Sequence, residues 1–501
     1  MRASTPVLAA FALLIAGCVA PAAEELTPMA RDVPVESVPA LSARTATGKV
    51  LPLDEVLAGA TRPVLKLSSL GVWGAEPTMG VTSNGYLFFI AGTKIMRSTD
   101  GAETWEEVST TVDTPPLPRV GSLTVPPTLD PMLWVDAVTD RVFVDQLYVG
   151  CSYLMWSDDL GESWLTNPAA CGLPGNDHQK VTTGPNVGSR PMTGTYPNVV
   201  YYGYNNVVGG RATGGARVSA SFDGGLTWTQ NTVATESTCV GGLHGSLVVA
   251  PDGTVYVPKR ECDGPTVAVS KDSGATWDAV KVGEDVGTTP CQKNPEVAVD
   301  SANGAYMLWP AEDDRLYMSR SLDGGATWDA TSLRVSPDFL NVVTMPAAQA
   351  GDPGRFAVAY YGTDAVAAVK DGEDDEEKHG PDTVPKDAIW HMWLTYTLDG
   401  LAEDPTFVTV RVTDDPVQIG PISTNSSGCP NPPGSRNLLD FIDMVSDADG
   451  RTFIAFADGC VEECVDDPDM KKSRAGMGTV AILAEGPSLL AAAGLAAYGA
   501  E

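Results

Sequence analysis

Ser98-Thr99-Asp100-Gly101-Ala102-Glu103-Thr104-Trp105 is the first of five copies of a short pattern, Ser-x-Asp-x-Gly-x-Thr-Trp. The others run Ser157 to Trp164, Ser221 to Trp228, Ser270 to Trp277 and Ser321 to Trp328. Their aspartates fall at 100, 159, 223, 272 and 323, in steps of 59, 64, 49 and 51 residues. Spacing near 50 residues marks a repeat architecture, in which each unit buries its faces against its neighbours. Within a copy, Asp and Ser side chains can accept backbone N–H bonds in a tight turn. Gly supplies left-handed backbone, and Thr-Trp begins the next strand. The Trp offers a large apolar surface to pack beside its own sheet. Copy one has Ala102 at the Gly position and copy two has Ser163 at the Thr position. Both turns are therefore expected to be distorted.

A second signal repeats between the copies. A polar residue or Pro leads into a β-rich run, a Gly or Asp-Gly turn follows, and a second β-rich run comes after. The openings are Glu76 to Val81, Asp130 to Val135, Asp177 to Val181, His244 to Val249, Glu296 to Val299 after Asn294-Pro295, Asn341 to Met345, and Leu439 to Val445. Seven openings imply seven blades of four antiparallel strands, and radial closure protects the sheet edges. Merging two units would leave six. The sixth unit keeps a degenerate copy, Thr397-Leu398-Asp399-Gly400, and the seventh has none. Blade seven supplies three strands, ending near Gly476 to Ala484. Its outer strand is expected from Pro63-Val64-Leu65-Lys66-Leu67 near the start of the chain.

The five-fold pattern resembles the Asp box, the bacterial neuraminidase repeat of sialidases and many other β-propellers. The resemblance implies an all-β propeller of four-stranded antiparallel blades, seven being favoured and six the alternative. It also implies that Asp100, Asp159, Asp223, Asp272 and Asp323 are structural, on turns remote from the catalytic face.

The N-terminus reads as an address. Arg2, the apolar stretch Val7 to Ile15 and then Ala16-Gly17-Cys18 form a signal-peptide layout too short to span a bilayer as a mature helix. The ending resembles the prokaryotic lipobox, which implies lipidation at Cys18 and an exported protein anchored to the cell or outer membrane. An ordinary secretory signal is the alternative. Residues 19–45, rich in Pro, Ala and Glu, read as a flexible tether, with a single propeller domain over residues 46–501. Eight further cysteines, an even number, argue for disulfides in an exported chain. They are Cys151, Cys171, Cys239, Cys262, Cys291, Cys429, Cys460 and Cys464. The short-loop pairs Cys151–Cys171 and Cys239–Cys262 are first choices, although spacing leaves the connectivity open.

There are 64 acidic and 32 basic residues, a formal net charge of −32. Such a surface repels nucleic acid and anionic membrane, and the resemblance to sialidases implies a glycan or a surface protein as partner of a monomer. The membrane enters only through the lipid anchor. No cofactor is required. Calcium is a possible ligand of the acidic insertion around Asp364 to Asp387, or of carboxylates at the channel mouth. The acidic insertion is otherwise a solvated loop.

In a propeller, inner-strand entrances and second-to-third-strand loops share one face, and Asp-box turns lie on the other. All eight cysteines map to the first face. So do Glu76, Asp130, Asp177, His178, Lys180, His244, Lys259, Arg260, Glu261, Glu296, Tyr361, Asp440 and Asp443. The resemblance to sialidases implies a Tyr-Glu nucleophile pair, an acid and arginines that clamp a carboxylate. On that reading Tyr361 is the nucleophile, Glu296 its base, Asp177 the acid and Arg260 the clamp, with Arg190 and Arg436 as further arginines. The family's Phe/Tyr-Arg-Ile-Pro motif is replaced by Thr61-Arg62-Pro63. The competing reading is a non-catalytic binding propeller that uses Glu76, Asp130, His178, Lys180, His244, Asp440 and Asp443. For His178 and His244 the plain alternative is loop hydrogen bonding; for Asp440 and Asp443 it is tying adjacent inner strands.

Overall fold

The structure is a computed structural model that describes residues 40–498. Outside the description lie residues 58–60, 93, 109–118, 121–122, 125–129, 149–150, 168–175, 207–214, 236–242, 262–263, 289–290, 293, 369, 372–376, 425–428, 462–463, 465–475, 492–494 and 496–497. The signal segment with Cys18 and most of the tether fall there too, as do Cys171, Cys239, Cys262 and the side chain of Cys151. Neither first-choice disulfide therefore lies within the described residues.

Seven four-stranded antiparallel blades form the ring. Blade one is Thr78–Val81, Leu87–Ala91, Lys94–Ser98 and Glu106–Glu107, from the inner strand outward. Blade two opens on Met132–Val135, three on Asn176–Gly184, four on Val248–Val249 and five on Glu296–Val299. Blade six opens on Val342–Ala350 and blade seven on Asp443–Ser446.

The apolar interior is split among the seams between blades. Phe88 packs toward blade two while its neighbour Phe89 packs toward blade seven. Tyr202 faces blade two and Tyr201 faces blade four. Seven such clusters fill seven seams, which rules out six blades. Because both faces of every blade are covered, the second strands read as continuous apolar runs such as Val199–Asn206 rather than as alternation.

The ring closes as expected: Val64–Trp73 pairs antiparallel with Met477–Glu485 as the outer strand of blade seven. The tether's last residues were not expected to be ordered. Leu41–Thr45 adds a fifth strand to blade six against Thr406–Arg411, and a turn of helix, Leu53–Val56, follows. Ala43 is buried there, so this edge covers apolar surface that a bare linker would leave wet.

The Asp-box turns are alike rather than distorted. In copy one, Asp100 Oδ1 accepts from Thr104 N at 2.9 Å, Oδ2 from Thr104 Oγ1 at 2.5 Å, and Ala102 N donates to Ser98 Oγ at 2.9 Å. Copy two matches, with Ser163 N and Oγ donating to Asp159 at 2.8 and 2.6 Å. Ala102 adopts φ +65°, which carries strain but leaves the turn intact, and the Ser163 hydroxyl does the work of threonine's. The Trp side chains reach a neighbouring blade rather than resting on their own sheet. Trp105 Nε1 donates to Ser68 Oγ and Trp277 Nε1 to Thr232 Oγ1, each at 2.9 Å and each on the preceding blade's outer strand.

Since Asp272 accepts from Thr276 N and Oγ1 at 2.9 and 2.6 Å, Asp272→Ala should cost about 1–2 kcal/mol in urea unfolding. Chemistry or binding at the channel mouth should be unchanged, because the turn faces away from it. A loss of activity at unchanged stability would overturn this assignment.

Candidate active site at the channel mouth

The inner-strand entrances converge on the axis, and several do so through strained backbone. Glu76, His178, Met345 and Leu439 all have left-handed φ between 53° and 58°. For non-glycine residues this costs about 1–3 kcal/mol each, a strain that clusters at functional sites. At blade three a register shift between Asp177 and Lys180 forms a bulge that re-aims the intervening side chains.

Four carboxyls lie along consecutive blades. Glu76 stands at blade one, Asp130 at two, Asp177 at three and Asp440 at seven. Asp177 shares a side-chain hydrogen bond with Asp130, and Glu76 shares one with Asp440. Burial, then the neighbouring Asp130 charge, pushes both Asp177 and Glu76 well above the usual carboxylate range. Arg436 grips Asp440 bidentately, with both N–O distances 2.5 Å. The side chains of Arg436 and Asp440 remain 23% and 12% exposed, so this arc is partly open to solvent.

Deeper on the axis the packing is closed. The His178 ring meets Phe441 at 5.1 Å and His244 at 5.6 Å, both edge-on. His178 Nε2 is hydrogen-bonded to Asn294 Nδ2 at 3.0 Å. His244 is fully buried and its Nδ1 bonds Gly245 O at 2.6 Å. Burial lowers its pKa to about 3, so it stays neutral. Lys180 Nζ sits 3.5 Å above the Phe441 ring, a cation–π seat. Lys259 Nζ, buried nearby, pairs with Glu261 at 2.7 Å.

Several predicted site residues are ties between blades. Asp443 Oδ2 accepts from Met79 N of blade one at 2.9 Å. Asp130 accepts from His178 N at 3.1 Å. Both oxygens of Glu296 accept from Ser246 N of blade four, at 3.2 and 3.0 Å. Tyr361 is buried in the seam between blades six and seven, where its hydroxyl donates to Ala457 O at 2.8 Å and accepts from Ala457 N at 3.1 Å. Burial drives this phenol well above its ordinary range. The Tyr361–Glu296 nucleophile pair is therefore not assembled, because Tyr361 alternates into a seam and Glu296 points to the axis.

Arg260 is 8% exposed on blade four's second strand, where burial lowers its pKa to about 10. Arg190 lies over Phe222, 5.1 Å from the ring centroid, on the Asp-box side of blade three. Of the three candidate arginines, Arg436 is the one that joins the carboxyl arc. Phe441, absent from the sequence-based site list, proves central; it was visible only as one apolar residue in an inner-strand run.

Among the described residues, two disulfides brace this face. Cys291–Cys429 joins the loops entering blades five and seven, and Cys460–Cys464 closes a short turn beyond blade seven's second strand. The blade-six insertion carries a small hairpin, Lys370–Asp371 with Glu377–Lys378, and is tied to blade five by His379 Nδ1 to Asp314 Oδ2 at 2.8 Å. Among the described residues, the one group with three metal-type ligand atoms close together is Cys291, Cys429 and Asp382. Its sulfurs are already spent in the disulfide.

Residues 178–352 match the BNR repeat-like domain. The match covers about a third of a seven-bladed β-propeller. The chain is 27% identical over 268 residues to the xyloglucanase Xgh74A of Acetivibrio thermocellus, covering 47% of this chain and 28% of that enzyme. It thus spans well under half the length of the curated relative. Among solved structures it is similar to the BP39L lectin of Burkholderia pseudomallei, at 13% identity and TM-score 0.42, over 79% of this chain and 92% of the lectin. It is also similar to a Dyadobacter fermentans protein of unknown function, at 12% identity and TM-score 0.40, over 85% and 98% of the two chains.

The buried Glu296 carries a pH signature. Burial raises its pKa from 4.5 to about 7. A raised folded value means that the folded state holds the proton more tightly. The resulting stability is complete below about 4.5 and is lost as pH rises to about 7. That loss is on the order of 3 kcal/mol. In Glu296→Gln, urea midpoints measured at pH 4.5, 6 and 8 should decline less steeply than in the parent, while the amide oxygen keeps the Ser246 bond. An unchanged slope would remove Glu296 from the account.

Proposed function

We propose that this propeller is a glycosidase acting on neutral glycans at the arc of Glu76, Asp130, Asp177 and Asp440. The observation that carries the reading is the cluster of carboxyls from four consecutive blades at one partly open mouth, with Arg436 gripping Asp440 at its edge. Asp177 and Glu76 lie well above the usual carboxylate range, as a group that must deliver a proton requires. Asp177 donates its proton to the glycosidic oxygen as the C–O bond breaks. Water attacks the anomeric carbon, and its released proton passes to a carboxylate of the Glu76–Asp440 couple. Solvent exchange then restores both couples.

A neutral substrate follows from charge. Four carboxyls surround one guanidinium, and Arg436 is already doubly bonded to Asp440. A sialate carboxylate would compete with that ion pair and meet repulsion from Asp130. Similarity to a xyloglucanase, whose name denotes a neutral polysaccharide, supports the same class.

Glycan binding without cleavage is the second reading, favoured by the Tyr361 phenol being spent on Ala457. The test is incubation with xyloglucan, other neutral polysaccharides and α-sialosides, following reducing ends and retention on glycan-loaded gels. New reducing ends from a neutral glycan are expected, and they should vanish in Asp177→Asn. Retention without reducing ends would establish the second reading, and cleavage confined to sialosides would overturn the neutral-substrate proposal.

A further inference from the structure

Lys180 is a buried charge on which side chains of several blades act. It leaves blade three from the bulged inner strand and is 3% exposed. Its ammonium rests on the Phe441 ring of blade seven at 3.5 Å. Four carboxyls act on it: Glu296 of blade five, Asp443 of blade seven, Glu76 of blade one and Asp130 of blade two. His244 of blade four feels its charge as well. Among the described residues none of these carboxyls takes it in a direct salt bridge. They are held instead by Ser246 N, Met79 N, Asp440 and His178 N. The cation is shared.

We infer that Lys180 is the internal counter-ion of the channel mouth, a positioning residue whose buried ammonium offsets the charge of carboxyls from four blades. Buried charges of one sign raise one another's cost, and a cation within the same low-dielectric volume offsets it. Without the ammonium, Glu296 and Asp443, which its charge holds down, need a higher pH to ionise. The aromatic seat matters because it attracts the cation without belonging to any one carboxylate, so the charge stays central. This role rests on the proposed glycosidase site for its catalytic consequence, but not for its electrostatics.

The experiment uses the full chain with Lys180→Met, Lys180→Arg, Asp443→Asn and the double variant Lys180→Met/Asp443→Asn. Two readouts are taken between pH 4 and 9: the rate of neutral-glycan hydrolysis and the urea midpoint. In Lys180→Met the acidic limb of the rate profile should move up by one pH unit or more. The pH at which the urea midpoint stops falling should move the same way. Lys180→Arg should stay within a few tenths of a unit. Asp443→Asn removes an anion and should shift both curves downward, which keeps the test open if Lys180→Met does not fold. The double variant should return toward the parent. If hydrolysis is absent throughout, the glycosidase reading fails and the urea curves still decide the role of Lys180. Superimposable pH profiles for the parent, Lys180→Met and Asp443→Asn would overturn it.

Discussion

Asp177→Asn is expected to lower turnover of a neutral glycan about 10²–10⁴-fold, the usual range for a lost general acid. Asparagine keeps the size and one acceptor oxygen, so the bulged inner strand should survive and KM should change little. The loss should depend on the leaving group. An aryl glycoside with an acidic phenol departs without a proton and should lose far less than a natural sugar. The pH profile supplies an independent readout. Because the Asp177 carboxyl lies well above its usual range, the parent's activity should fall as pH rises through that raised value. The variant should lack this alkaline limb. Equal losses for both leaving-group types, with the limb retained, would mean that Asp177 is not the proton donor.

Removing residues 1–73 should abolish the folded monomer. The deletion strips Val64–Trp73 from Met477–Glu485, opening the outer edge of blade seven and the seam where Leu70 is buried. At about 1 kcal/mol per ladder hydrogen bond, plus the lost apolar burial, the cost rivals the whole stability of an ordinary domain. An exposed strand edge would then promote association. A chain starting at Ala40 should melt like the parent, and one starting at Thr61 should lose only the fifth strand of blade six. Circular dichroism and size exclusion on the three chains check the series. A monomeric, cooperatively melting chain that begins at Gly74 would show that the ring does not need this closure.

Repetition made the architecture legible. Asp100, Asp159, Asp223, Asp272 and Asp323 recur because each turn must solve the same local problem, satisfying backbone N–H groups with a nearby oxygen. Local chemistry of this kind survives intact from sequence to structure. The closing strand was legible as well, since three strands at the C-terminal end imply a missing partner. The ordered edge at Leu41–Thr45 was hidden, because a Pro- and Ala-rich approach carries no strand periodicity until blade six offers it a ladder.

The site was legible only as a face. Loop position along each repeat sufficed to bring Glu76, Asp130, Asp177, Lys180 and Asp440 to one mouth. Which of them touch depended on alternation and register. Tyr360 and Tyr361 are adjacent in the chain, yet one enters the seam with blade five and the other the seam with blade seven; neither reaches the axis. The sequence alone determined a repeating β-rich ring, its closure, its Asp-box turns and the face where acidic and basic groups collect, because those depend on local bonding and periodicity. Tertiary structure decided the pairing of Arg436 with Asp440, the seat of Lys180 on Phe441 and the retreat of Tyr361, because each depends on where different blades meet across the axis.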